Sequence, residues 1–218
     1  MIEIKLRHKI INTLARPIIS LMIKKRFNYK YTSCDIKPPF IVLGNHTTDY
    51  DAFFIAKSFK NPIYFVMSDH ITTIPVLGKL IKYAVSPIPI TKSSLDPATI
   101  RDIFSVIKQG SAIGLFPEGN KSFSGDMSYI KPSTSKLLKK LNVPVVIYNI
   151  KGGYFSSPRW SKEKRTGHVC GFVRKIIMPE ELNKMSTDEL YNEIVSSLRI
   201  NAYDEQEKEK QSYNIVVV

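Results

Sequence analysis

Two residues set for proton chemistry lie close together, His46 and Asp51 in the run Gly44-Asn45-His46-Thr47-Thr48-Asp49-Tyr50-Asp51. A carboxylate five residues past a histidine can curl back to one imidazole nitrogen. That fixes the tautomer and leaves the other nitrogen to take a proton, the work of a general base. The same residue types also suit a helix start, with His46 as a cap and Asp49 and Asp51 as first-turn acids favoured by the helix dipole. A second loop, Phe116-Pro117-Glu118-Gly119-Asn120-Lys121-Ser122, follows about seventy residues later. Gly114 and Gly119 have the spacing of a Walker loop, but Asn120 stands before Lys121-Ser122. In a Walker loop the lysine follows the glycine directly so that it reaches the phosphates. The register is off by one, which excludes nucleotide hydrolysis of that kind. What remains is a glycine turn whose Glu118, Lys121 and Ser122 can contact an anion, or a surface turn with a solvated lysine.

Both loops sit where strands give way to other structure. Phe40–Leu43 is a short apolar run ending at Gly44 and reads as a buried strand; Ala52–Phe59 then has helical apolar spacing. Ile63–Met67 reads as a second strand and Val85–Ile90 as a third, which Pro87 and Pro89 push to a sheet edge. Asp96-Pro97 is a cap and first-turn pair for a helix that Gly110 stops. Ala112–Phe116 is a fourth strand, Thr134–Leu141 a basic helix, Val143–Ile150 a fifth strand and Val169–Ile177 a sixth. Ser186 and Glu189 make a capping box for a helix through Leu198, and Asp204–Lys210 reads as a further helix before an apolar tail, Tyr213–Val218. Alternating strands and helices predict an α/β layered domain with a mixed central sheet flanked by helices.

The 218 residues, 43% hydrophobic and 23% charged, exclude wholesale disorder and suit one domain with a small appendage. The net charge of +13 points to an anionic partner. Eight basic residues against one acid, Glu3, fall in residues 1–30, interleaved with Ile10, Ile11, Leu14, Ile18, Ile19, Leu21, Met22 and Ile23. The apolar stretch Pro17–Ile23 is too short to span a bilayer, which takes about 17 residues or more. The segment reads either as an amphipathic helix lying in a membrane interface or as a surface helix packed on the core. The expected division is residues 1–30 as a basic amphipathic helical segment for membrane association and residues 31–218 as the α/β domain. Tyrosines and phenylalanines, 11 each, fall mainly in strand-like or helix-core positions and not along a basic stripe, so no nucleic-acid partner is expected. Cys34 and Cys170 lie far apart, and His8, His70 and His168 lack ligand spacing, so no metal is expected.

Taken together, HxxxxD after a strand and FPEGxKS after another resemble the glycerolipid acyltransferase family, which includes 1-acylglycerol-3-phosphate acyltransferases. Phe65-Val66 through Ile74–Gly78, Ile88-Pro89-Ile90-Thr91-Lys92, and Val143-Pro144-Val145-Val146 resemble further blocks of that family, so that the likeness covers roughly residues 40–150. Lys92 and Lys121 stand where the family usually carries arginine, and Ser68 where it often carries lysine. These departures bear on the acceptor more than on the chemistry, because lysine keeps the charge but lacks the bidentate fork.

The resemblance implies acyl transfer from a thioester, acyl-CoA or acyl carrier protein, to a lysophospholipid hydroxyl, with phosphatidic acid as product. His46 would be the general base and Asp51 its orienting partner. Glu118 and Gly119 would shape the acceptor site, with Ser122 beside them and Lys121 and Lys92 near the acceptor phosphate. No cofactor is implied. The absence of a GxSxG elbow favours direct attack over an acyl-enzyme. The basic N-terminus then reads as an anchor to the anionic cytoplasmic face of the cell membrane. The rival expectations are an enzyme for another lyso-lipid acceptor, a hydrolase, and a non-catalytic basic membrane-binding protein.

Overall fold

The computed structural model describes residues 6–68, 87–90, 96–161, 165 and 167–200. The segment Ile74–Gly78, Lys92, the expected helix Asp204–Lys210 and the tail Tyr213–Val218 lie outside the described residues. The chain begins with α1 (Leu6–Phe27), β1 (Lys30–Tyr31), β2 (Ile41–Gly44), α2 (Asp51–Ser58), β3 (Ile63–Ser68) and β4 (Ile88–Ile90). It continues through α3 (Pro97–Lys108), β5 (Ala112–Leu115), α4 (Ser133–Leu141) and β6 (Val145–Lys151). It ends with α5 (Gly153–Ser156), β7 (Cys170–Ile177), α6 (Pro179–Lys184) and α7 (Thr187–Leu198).

The described strands form one sheet in the order β1-β7-β6-β2-β5-β3-β4. All pairings are parallel except β6 with β7, so the sheet is mixed, as the sequence predicts. β4 with its Pro89 takes the edge beside β3, where a missing N–H does least harm. β1 and the short helices α5 and α6 were not legible in the sequence, because two to six residues carry no periodicity.

Side chains alternate across the sheet between two apolar layers. Ile41, Leu43, Ile113, Leu115, Val145 and Ile147 pack with Ile103 of α3, Leu138 of α4 and Ile194 of α7. Phe40, Val42, Ala112, Val146 and Tyr148 pack on the other face with Ile23 and Phe27 of α1 and Phe54 and Ile55 of α2. A strand buried on both faces reads as a continuous apolar run, which is why Phe40–Leu43 showed no alternation. The ends of the outer helices are closed by their own residues. Asp96 accepts from the Thr99 N–H at 2.7 Å, and Ser186 and Glu189 complete the capping box expected of them.

α1 has two faces. Ile23 and Phe27 are core residues, and the Phe27 ring meets Phe54 edge-on at 5.1 Å. Leu6, Ile10, Leu14 and Leu21 recur at helical spacing and stand 72%, 48%, 67% and 57% exposed, which marks an apolar stripe facing outward. No described helix is long and apolar enough to cross a membrane.

The topology decides where the chemistry falls. β2 lies between β5 and β6 and runs parallel to both, with Leu43 opposite Leu115 and Gly44 opposite Tyr148. The chain therefore leaves β2, β5 and β6 at the same edge of the sheet. At the carboxyl ends of its strands an open α/β sheet binds its ligands.

Candidate active site

The first loop is held by a side chain standing in for a strand. Past Gly44 the chain turns away, and the Asn45 amide takes over the ladder to β6. Its Nδ2 donates to the Ile150 carbonyl at 2.9 Å, and its Oδ1 accepts from the Ile150 N–H at 2.7 Å. His46 follows with both backbone groups bound to the second loop. Its N–H donates to Glu118 Oε1 at 2.8 Å, and its carbonyl accepts from the Ser122 N–H at 2.7 Å. Parallel neighbours made this contact possible: residues about seventy apart in sequence leave adjacent strands together.

Asp51 opens α2 and its side chain is fully buried. Its Oδ2 accepts from His46 Nδ1 at 2.9 Å and from the backbone N–H groups of Thr47 at 2.6 Å and Thr48 at 2.8 Å. Its Oδ1 accepts from the Thr48 hydroxyl at 2.9 Å. An ionised carboxylate only accepts, so the proton on the neutral imidazole sits at Nδ1 and the lone pair at Nε2. The helix start therefore serves both roles the sequence left open: Asp51 is a first-turn acid and also the partner of His46.

The imidazole plane is fixed by stacking. Phe116 lies nearly parallel to it at 4.2 Å and 16°, and Phe65 of β3 continues the stack behind Phe116 at 6.0 Å and 15°. Phe65 reaches that place because residue 114 is glycine; a Cβ there would lie 2.2 Å from the Phe65 ring. Neither Asn45 nor this stack was recognised in the sequence. Gly114 inside an apolar strand was the available signal, since a glycine there marks a close approach.

Glu118 is buried and ties the second loop to the first. Its Oε1 holds His46, its Oε2 accepts from the Ser128 N–H at 2.7 Å, and the residue is buried. Burial pushes its carboxyl above the usual range, while the N–H donors of Ser128 and His46 pull it back. Gly119 makes the turn possible at φ +72°, its N–H closing on the Phe116 carbonyl at 3.0 Å. The Ser122 hydroxyl works within its own loop, donating to the Asp126 carbonyl at 2.6 Å and accepting from the Gly125 N–H at 2.9 Å. The half-buried Lys121 reaches the first loop, its Nζ 2.6 Å from Asp49 Oδ1. Lys92 lies outside the described residues.

Among the described residues no group of three or more His, Cys, Asp or Glu could hold a metal ion, and Cys34 and Cys170 are not joined in a disulfide. The arrangement can take a proton from a hydroxyl at His46 Nε2 and stabilise the resulting imidazolium through Asp51.

Known proteins resemble this chain in sequence and in fold. A probable 1-acyl-sn-glycerol-3-phosphate acyltransferase of Mycoplasma genitalium is 28% identical over 191 residues, spanning 81% of this chain and 69% of that protein. A 1-acyl-sn-glycerol-3-phosphate acyltransferase of Borreliella burgdorferi is 25% identical over 114 residues, 50% of this chain and 45% of its own length. The crystal structure of the 1-acyl-sn-glycerophosphate (LPA) acyltransferase PlsC from Thermotoga maritima has the same fold, at a TM-score of 0.68 and 20% identity, over 95% of this chain and 81% of that one. The acyltransferase family profile matches residues 19–151, more than half of the chain and both loops of the site. The chain therefore belongs to the acyltransferase family.

Proposed function

We propose that the protein transfers a fatty acyl group from a thioester to the free hydroxyl of 1-acylglycerol-3-phosphate, giving phosphatidic acid. The observation that carries this reading is the His46–Asp51 pair, whose Nδ1 contact of 2.9 Å leaves Nε2 as the basic nitrogen. His46 Nε2 removes the hydroxyl proton as the oxygen attacks the thioester carbonyl. The carbon–sulfur bond then breaks, and the imidazolium returns its proton to the departing thiolate. Asp51 stabilises the imidazolium between these steps. The donor is acyl-CoA or acyl carrier protein. Lys121 supplies a cation for the acceptor phosphate, with Lys92 as a second one. The names of the Mycoplasma and Borreliella relatives support the acceptor.

The acceptor is itself a membrane lipid, so the enzyme works at a lipid surface. The basic helix α1, with its exposed Leu6, Ile10, Leu14 and Leu21, is the anchor in this reading, and its docking face is the anionic cytoplasmic leaflet.

The test is thioester consumption with a panel of lyso-lipids as acceptors. Lysophosphatidic acid should give the highest kcat/KM. The panel includes zwitterionic lysophosphatidylcholine and lysophosphatidylethanolamine, because the carboxylate of Asp49 beside Lys121 would suit an ammonium group. A higher kcat/KM on either of these would overturn the acceptor assignment and keep the acyl transfer. Thioester loss independent of any acceptor would mark a hydrolase.

A further inference from the structure

Among the described residues, three aromatic side chains stand more than half exposed: Phe123 at 68%, Tyr129 at 69% and Trp160 at 52%. All three belong to the two segments bordering the site. Phe123 follows Lys121 and Ser122 in the second loop, and Tyr129 follows Ser128, whose N–H is bound to Glu118. Trp160 comes from the segment after α5. Tyr154 of that helix joins the two segments: its hydroxyl donates to the Phe123 carbonyl at 3.1 Å and accepts from the Trp160 indole N–H at 3.1 Å. Next to Trp160, Arg159 donates to the Lys121 carbonyl at 3.3 Å. The Trp160 indole and the Phe123 backbone therefore meet on one hydroxyl, and Arg159 ties the same segment to Lys121.

A patch of this kind is costly to leave in water, and its composition matches one environment. Indole and phenol rings with a polar edge favour the headgroup level of a bilayer, where the ring body is apolar and the edge stays hydrated. Arg159 and Arg165 lie on either side of Trp160 in the chain, and both are exposed. Basic residues beside interfacial aromatics complement anionic lipid.

We propose that Phe123, Tyr129 and Trp160 form a second lipid-docking surface, distinct from α1, which seats the mouth of the active site on an anionic bilayer. This rests on the reading that the acceptor is a membrane lipid. Its consequence is geometric: α1 holds the enzyme on the membrane, whereas this patch turns the His46 loop toward the acceptor.

Trp160 is the single tryptophan of the chain, so its fluorescence reports on the patch alone. The full-length protein would be titrated with phosphatidylglycerol vesicles, plain and carrying phospholipid brominated near the headgroup end of the acyl chain, and its sedimentation with them followed. The expected result is a blue shift of the emission and quenching by the brominated lipid. The exposed substitutions Phe123→Ser and Tyr129→Ser together should weaken that quenching. They should also reduce turnover of vesicle-embedded acceptor several-fold more than turnover of a short-chain monomeric acceptor. Co-sedimentation without a change in Trp160 emission would overturn the second surface and leave membrane attachment standing. Failure to sediment at all would overturn both.

Discussion

The ammonium of Lys121 and the carboxylate of Asp49 meet at 2.6 Å, which ties the half-buried cation of the second loop to the first loop, three residues past His46. Lys121 is 24% exposed and Asp49 76%. An acceptor phosphate that uses Lys121 must therefore compete with Asp49. An ion pair this open to water is worth about 0.2–1 kcal/mol. Asp49→Asn should lower the KM for lysophosphatidic acid by up to about fivefold, the kinetic equivalent of that energy. Lys121→Gln should raise the same KM and leave the KM for the thioester in place. Initial-rate kinetics with each substrate varied in turn decide this. Equal effects of Lys121→Gln on both substrates would remove the lysine from the acceptor site.

Loss of the His46 imidazole should be close to complete for turnover and mild for folding, since its ring is at the surface of the site. His46→Ala is expected to reduce kcat by ~10²–10⁴-fold, the usual worth of a general base. Asp51→Asn differs in kind. It removes the charge that stabilises the imidazolium, and with its oxygen in the Oδ2 position its NH2 group displaces the bond that the Thr48 hydroxyl donates to Oδ1. It should reduce kcat heavily and lower the melting temperature as well. Near-normal turnover of His46→Ala, with retained thermal stability, would exclude the proposed base.

Glu118 links stability and activity with opposite signs. Burial raises its carboxyl pKa in the folded protein. The folded state then binds that proton more tightly than the unfolded one. By linkage, its contribution to stability falls as pH rises from the ordinary carboxylate range through the raised value. The ionised form is nevertheless the better acceptor for the His46 and Ser128 N–H groups. Stability of the wild type relative to Glu118→Gln should therefore decline with pH across that window, while relative kcat rises. Denaturant titrations and rates at matched pH values test both signs.

Removing residues 1–30 is a poor test of the anchor, because Ile23 and Phe27 of α1 are 1% and 0% exposed in the core. The outward stripe can be changed without touching them. Burying one leucine side chain fully is worth about 1.5–3 kcal/mol. Leu14→Ser with Leu21→Ser should reduce partitioning to anionic vesicles tenfold or more and leave the melting temperature nearly unchanged. Binding should weaken with salt without vanishing, since insertion is not screened. Unchanged sedimentation of the double variant would place the anchor elsewhere.

Much of the site could be read along the chain because its signals are local. His46 and Asp51 lie five apart, within one turn of chain, so residue type and spacing suffice to pair them. The strand before them, the helix after them and the caps Asp96 and Ser186 are likewise set by neighbours a few residues away. The partners of Glu118 and Lys121 could not be read that way. Glu118 holds the backbone of His46, and Lys121 meets Asp49. Both contacts join residues 72 apart, and they exist only because β2 and β5 are parallel neighbours with Leu43 opposite Leu115. Likewise Asn45 finds Ile150 through the pairing of β2 with β6. Side-chain identity determined what the loops can do; strand order determined which of them touch, because hydrogen-bonded register between distant segments is written in no single stretch of sequence.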